Sequence, residues 1–212
     1  MPDIPATDWT RYYEKPFVTA HVTRRITARL IAKTVLDAGG FPERHGSILE
    51  LGGGNSSFCD TVGNRLNAQD YTIVDSNPRG TLLFWVKHSL EKAICADIFT
   101  LDPASVDPAD LVFSAGLIEH FPPEKTEEAI RRHFELAKPG GLVLITFPTS
   151  TPCYRLIRRA AEALGLWRFP DERPLPLDGT AELCARYGAV LTKRLNRAIL
   201  LTQGVVLARA PR

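Results

Sequence analysis

The sequence predicts an α/β protein: a doubly wound, mostly parallel seven-stranded sheet that closes with a C-terminal antiparallel hairpin. Three observations predict it. Between Ser47 and Phe147, short apolar runs alternate with amphipathic helical stretches, the pattern of parallel strands joined by crossover helices. The run Leu142–Phe147 is apolar throughout, as a strand covered on both faces must be. Finally, Ala189–Leu195 and Gln203–Arg209 are joined by a polar connection too short for a crossover helix, so they pair antiparallel on one edge.

Each element has its own signal. An aromatic, mixed-charge opening runs from Trp9 to Phe17. From Val22 to Leu36, apolar residues at Val22, Ile26, Leu30, Ile31 and Val35 mark one helix face, Arg24, Arg25, Arg29 and Lys33 lie on the others, and Gly39 and Gly40 stop the helix. Ser47–Leu51 is the first strand. A glycine turn follows, then a helix through Phe58, Val62 and Leu66. Tyr71–Val74 is the second strand, ending at Asp75, and Thr81–His88 the next helix. Ala93–Ala96 and Leu111–Ser114 are the third and fourth strands. Pro122 and Pro123 precede a helix over Glu124–Ala137, acidic at its start and basic later, as the helix dipole favours. A final helix is expected near Thr180–Tyr187. The segment Thr149–Asp178 does not fit the alternation. It holds a helix over Tyr154–Leu164, then Trp167, Phe169 and several prolines, and is long enough to be a functional lid. The chain therefore divides into a cap and first helix (1–46), a core (47–148), a lid insertion (149–179) and a closing helix and hairpin (180–212), all one domain.

Composition narrows the function. The 212 residues are 44% hydrophobic and 24% charged, an ordinary globular balance. No apolar run approaches a membrane span, and the polar start is not a secretory signal, so a cytoplasmic protein is expected. A net charge of +2 gives no support for a nucleic-acid binder. The four cysteines, Cys59, Cys95, Cys153 and Cys184, have no zinc spacing and read as reduced thiols, mostly in the core.

Four constellations carry chemistry. In Glu50-Leu51-Gly52-Gly53-Gly54-Asn55-Ser56-Ser57, a strand ends in glycines that let the chain turn sharply and let a nucleotide-like ligand lie on bare main chain. Asp75, roughly 20 residues on at the next strand tip, can accept from ribose hydroxyls. Cys95-Ala96-Asp97-Ile98-Phe99 offers a carboxylate for an exocyclic amine and an apolar face for a ring. The third constellation runs from Asp110 to Pro122 and includes Ser114-Ala115-Gly116-Leu117-Ile118-Glu119-His120-Phe121, and the fourth is Lys138-Pro139-Gly140-Gly141. A glycine turn alone also suits dehydrogenases.

With all four in this order, the chain resembles the class I S-adenosylmethionine-dependent methyltransferases, in particular the branch acting on small molecules, from about Ser47 to Phe147. The resemblance implies that Glu50, Gly52, Gly53, Gly54 and Asn55 line the methionine part of the cofactor. Asp75 would hold the ribose, Asp97 with Ile98 the adenine, and Ser114, Ala115, Gly116 and Leu117 the sulfonium side, with Ser76 a further cofactor contact. The spent cofactor would be S-adenosylhomocysteine. The family's third glycine is replaced here by Ser56. Some relatives bind a divalent metal through E-x-x-E-H; Gly116 stands where the first acid would be, so no metal is expected.

His120 is a candidate general base, the alternative being that it shapes the loop after the fourth strand. Trp9, Tyr12 and Tyr13 fit either a cap over the site or a staple for the first helix. Tyr12, Tyr13, Glu119, Tyr154, Arg155, Arg159 and Trp167 are candidate substrate contacts. Arg155 and Arg159 share a helix face and would suit an anionic group, though such a face is commonly only solvated. The expected partner is a small or medium-sized acceptor of natural-product, sugar or lipid-linked type. A non-catalytic binding protein and an NAD-dependent oxidoreductase are the alternatives, and the oligomeric state stays open.

Overall fold

The computed structural model describes residues 5–14, 18–199 and 201–212, with the backbone alone for Val18 and Thr19. The end of the aromatic opening at Phe17 lies outside the described residues. Helices α1 (Trp9–Glu14) and α2 (Val18–Ala38) lead into β1 (Gly46–Leu51), α3 (Cys59–Leu66), β2 (Ala68–Asp75), α4 (Pro78–Lys87), β3 (Lys92–Cys95) and β4 (Ala109–Ala115). Then come α5 (Pro123–Glu135), β5 (Ala137–Pro148), α6 (Pro152–Ala163), α7 (Leu177–Ala185), β6 (Ala189–Asn196) and β7 (Gln203–Arg209).

The seven strands lie in the order β3-β2-β1-β4-β5-β7-β6. The first five pair in parallel, and β7 runs antiparallel to both β5 and β6. Alternate strand residues feed two cores. Leu49, Val112, Val143 and Ile145 face α5 and α7 through Ala129, Ile130, Ala181 and Cys184. Ile48, Leu111, Phe113, Leu142 and Leu144 face α2, α3 and α4 through Ile31, Val35, Val62 and Phe84. Burial on both faces is why β5 is apolar without alternation.

Most boundaries differ from the expectation by a few residues, and the largest change is at the start of β5. Helix α5 ends at Glu135, because Ala137 already pairs with Ala109 in the sheet. Lys138–Gly141 consequently lies inside β5 rather than before it. A Cβ on Gly141 would meet the Lys138 and Ala109 carbonyl oxygens at 2.9 and 3.2 Å, so the strand edge requires a bare backbone there. Of the four free cysteines, Cys59 and Cys184 are buried while Cys95 and Cys153 are exposed, so only two are core residues. Among the described residues no helix is long and apolar enough to cross a membrane.

Candidate functional site

Strand order reverses between β1 and β4, so their carboxyl ends diverge and leave a crevice, the usual ligand position in an open α/β sheet. A cavity of about 330 Å³ opens there. Its walls come from the ends of the parallel strands: Glu50, Gly52, Gly53 and Asn55 from β1; Asp75 and Ser76 from β2; Asp97, Ile98 and Phe99 from β3; Ala115 to Leu117, Glu119 and His120 from β4; Pro148 from β5.

At one end the glycine turn is held by acids. Gly52 and Gly54 have φ of +69° and +51°, a left-handed backbone that glycine adopts freely. Asp75 Oδ2 accepts from the Gly54 amide at 2.8 Å and from the Tyr13 hydroxyl at 3.0 Å, and Oδ1 accepts from the Asn77 amide at 2.7 Å. Glu50 is buried, and its Oε2 accepts from the hydroxyls of Ser56 and Tyr71, both at 2.6 Å. Burial pushes its carboxyl up to about 7 against those two hydrogen bonds. Ser56 thereby explains its departure from a third glycine. Its oxygen also accepts from the Phe58 and Cys59 amides, 3.1 Å each, capping the start of α3 while tying Glu50 to the turn.

The other end is built from the loop after β4 and from the insertion. His120 Nδ1 lies 3.0 Å from Asp171 Oδ1. Because an ionised carboxylate only accepts, Nδ1 carries the proton, and a neutral ring turns the Nε2 lone pair toward Glu119, whose Oε1 is 3.8 Å away. Asp171 is fixed in turn by the backbone amide and hydroxyl of Thr7. Burial raises the Asp171 carboxyl, but the bonds from His120 and Thr7 prevail and hold it at about 2. Burial likewise opposes protonation of His120, yet Asp171, Glu119 and Glu172 together raise its pKa above the usual value. Glu119 is only 1% exposed, and its Oε2 has no hydrogen-bond partner among the described residues. Burial, aided by Glu172 and Asp171, pushes its carboxyl up to about 7 against the pull of His120. Glu172 accepts from the Tyr154 hydroxyl and is also raised by burial. Trp9, Tyr12, Trp167 and Phe169 complete the wall; Trp9 lies edge-on to His120 with centroids 4.8 Å apart.

Most predicted residues meet in this cavity, with exceptions. Gly54 touches it only through its neighbours, because the Tyr13 ring covers it. Tyr13, expected near the substrate, belongs to the Asp75 end. Ser114 is fully buried and points away, donating to His133 Nε2 at 2.9 Å while Nδ1–H of His133 donates to the Ala129 carbonyl. Arg155 and Arg159 are exposed and do not line the cavity. Tyr154 is the buried residue of α6, so the inward neighbour one turn on is Arg158, whose guanidinium reaches the Tyr154 hydroxyl and the Glu172 carbonyl. The acid missing at Gly116 is matched in space by Glu172. Glu119, His120 and Glu172 each offer an atom, all within 4.8 Å of one another, so the reason given for expecting no metal does not hold.

Sequence reasoning missed Arg24, Asp171 and Glu172 as site residues. Arg24 lines the cavity, donates to Ser57 Oγ at 2.9 Å and lies over the Tyr12 ring. Nothing in helical periodicity separates it from Arg25, and the insertion residues carry no motif.

A methyltransferase-domain family model matches residues 23–191. A comparison with curated proteins gives no sequence match. Among solved structures, the chain is similar to the S-adenosylmethionine-dependent methyltransferase SibL in its apo form, with TM-score 0.74 and 16% identity, covering 100% of this chain and 64% of that one. This chain thus spans less than two thirds of SibL. Magnesium protoporphyrin IX methyltransferase from Synechocystis PCC 6803 with bound S-adenosylhomocysteine gives 0.71 and 13%, covering 96% and 93% of the two chains. The N-methyltransferase NodS from Bradyrhizobium japonicum WM9, also with S-adenosylhomocysteine, gives 0.65 and 14%, covering 95% and 91%. At these identities the likeness is one of fold.

Proposed function

This chain belongs to the methyltransferase-domain family, and we propose that it transfers the methyl group of S-adenosylmethionine to a small or medium-sized acceptor held against His120. The observation that carries this reading is one cavity with two chemically distinct ends. The glycine turn, Glu50, Asp75 and Asp97 form one, and the His120–Asp171 pair within aromatic walls forms the other.

The residues fit the cofactor. Glu50 has Oε2 engaged twice and keeps Oε1 for an ammonium group. Arg24 offers a guanidinium for a carboxylate, a geometry that suits it. Asp75 would take a ribose hydroxyl and Asp97 an exocyclic amine, with Ile98 beside them to cover the ring. Ala115 and Gly116 leave room beside the reacting centre. When bound, S-adenosylmethionine supplies a methyl group already activated on a cationic sulfonium. The chain's own residues then have three tasks: to align the acceptor, to exclude water, and to take its proton. Trp9 and Tyr12 cover the site. His120 Nε2 accepts the proton, while Asp171 holds the ring and stabilises the imidazolium that forms.

The anionic acceptor is not part of this reading, because Arg155 and Arg159 face solvent. Calorimetry with S-adenosylhomocysteine and with NAD tests the reading. Binding of the former alone is expected, and binding of NAD alone would return the chain to the oxidoreductase class. With an acceptor in hand, kcat should rise with pH along an arm set above the ordinary histidine value of ~6.5, because the neighbouring acids raise His120. His120→Ala with unchanged turnover would remove the base.

A further inference from the structure

We infer that the acceptor is a primary or secondary amine, bound as its ammonium ion between Glu119 and Glu172 against the rings of Trp9, Trp167 and Phe169. The inference rests on the methyltransferase reading and names the substrate class of that site.

The argument is one of charge. Five acidic side chains line the cavity, against Arg24 and the titratable His120 among the described lining residues, with Arg158 behind Glu172 at 4.0 Å. Arg24 is engaged with Ser57 and Tyr12. Glu119 is a buried acid with one oxygen unpartnered, and Glu172 sits close enough that their ligating atoms fall within 4.8 Å together with His120. A buried and a half-buried carboxylate this close repel one another, and an ammonium ion between them relieves that repulsion. Arg158 already lies 4.0 Å from Glu172 Oε1 and His120 Nε2 3.8 Å from Glu119 Oε1, so the place left for a donor is Glu119 Oε2, which an ammonium fills with a charge-assisted bond, an alcohol only with a neutral one and a carboxylate not at all. A hard divalent ion wants six or more oxygens. Here one Glu172 oxygen already accepts from Tyr154, and much of the surrounding wall is aromatic. Aromatic faces instead attract an organic cation and solvate its apolar body. Trp9, Trp167 and Phe169 supply such faces, with ring centroids of Phe169 6.1 Å from Trp9 and 6.0 Å from Trp167.

The chemistry closes. The ammonium gives one proton to His120 Nε2 and exposes its lone pair. The nitrogen forms the N–CH3 bond as the donor's S–CH3 bond breaks, and that electron pair stays on sulfur. The methylated nitrogen is formed already as an ammonium ion, and His120 Nε2 gives its proton to water to complete the cycle.

The test uses the full chain saturated with S-adenosylhomocysteine and a matched set of 2-phenylethylamine, 2-phenylethanol and phenylacetate, read by calorimetry. Transfer from S-adenosylmethionine to each of the three is followed in parallel. The amine should bind at least about tenfold tighter than the alcohol or the acid, as a charge-assisted bond in a desolvated site allows. Glu119→Gln and, as a second variant, Glu172→Gln should each remove about tenfold of that preference while S-adenosylhomocysteine affinity and the thermal midpoint stay near wild type. Absent or equal amine binding, preference for the alcohol or acid, or amine affinity untouched in both variants overturns the inference. So does Mn²⁺ binding that expels the amine. If S-adenosylhomocysteine itself fails to bind, the methyltransferase reading fails. If it binds and the alcohol is methylated instead, only the amine is lost.

Discussion

Tyr13→Phe tests how the ribose end of the cavity works. An ionised carboxylate has about four lone-pair sites. Three on Asp75 are taken in the structure, by the Gly54 amide, the Asn77 amide and the Tyr13 hydroxyl. One is left, and a ribose diol brings two donors. The backbone amides are fixed by the turn and by the start of α4, so the hydroxyl is the group that must give way. Burial, with Asp75 beside it, pushes the Tyr13 phenol far above its usual pKa, so it serves only as a donor. A hydrogen bond to a charged group contributes about 1.5–3 kcal/mol. Taking the lower figure, Tyr13→Phe should destabilise the cofactor-free protein by about 1.5 kcal/mol, a fall of roughly 3–6 °C in Tm for a domain of this size. The loaded protein has already given up that bond. Its stability should hardly change, and S-adenosylhomocysteine should bind about tenfold tighter, since tenfold is about 1.4 kcal/mol. Thermal unfolding with and without ligand, and calorimetry, measure both numbers. Weaker binding in the variant would mean that the hydroxyl stays on Asp75 and assists the ribose, refuting the displacement.

Two further outcomes are expected. The folded state keeps a proton on Glu50 that the unfolded chain releases above its ordinary value of 4.5, so this residue's contribution to stability is lost as pH rises from 4.5 to about 7. Against Glu50→Gln, the cofactor-free wild type should therefore lose at most about 3 kcal/mol across that window in chemical denaturation, and a difference independent of pH would contradict the burial argument. Replacing Arg155 and Arg159 together by alanine should leave the acceptor KM unaltered, since both point to solvent; a marked rise would bring that helix face back to the site.

The fold was legible because its signals are local. Strand and helix periods switch along the chain, turns carry glycine or proline, and Leu142–Phe147 announces burial on both faces. That Glu50, Asp75 and Asp97 meet at one end of the cavity was legible for the same reason, since each sits at the tip of a readable strand. Boundaries slipped where pairing overrode propensity, as at Ala137, whose partner Ala109 sets the start of β5. Ser114 was misplaced because alternation along β4 fixes which face a residue takes but not whether that face reaches the cavity or a buried histidine.

The acceptor end followed another rule. His120 meets Asp171 across 51 residues, and Thr7 meets it across 164. No periodicity encodes contacts at such separations. On α6, the burial of Tyr154 decides that Arg158 turns inward and Arg155 and Arg159 turn out, which reverses the charge expected at the mouth of the site. The sequence by itself thus determined the sheet, its reversed last strand and the glycine turn with its acids, all set by neighbours within a strand or a turn. The folding back of the insertion decided that Asp171 and Glu172 join Glu119 and His120 among aromatic rings, because charge in a cavity depends on which side chains packing brings together from distant parts of the chain.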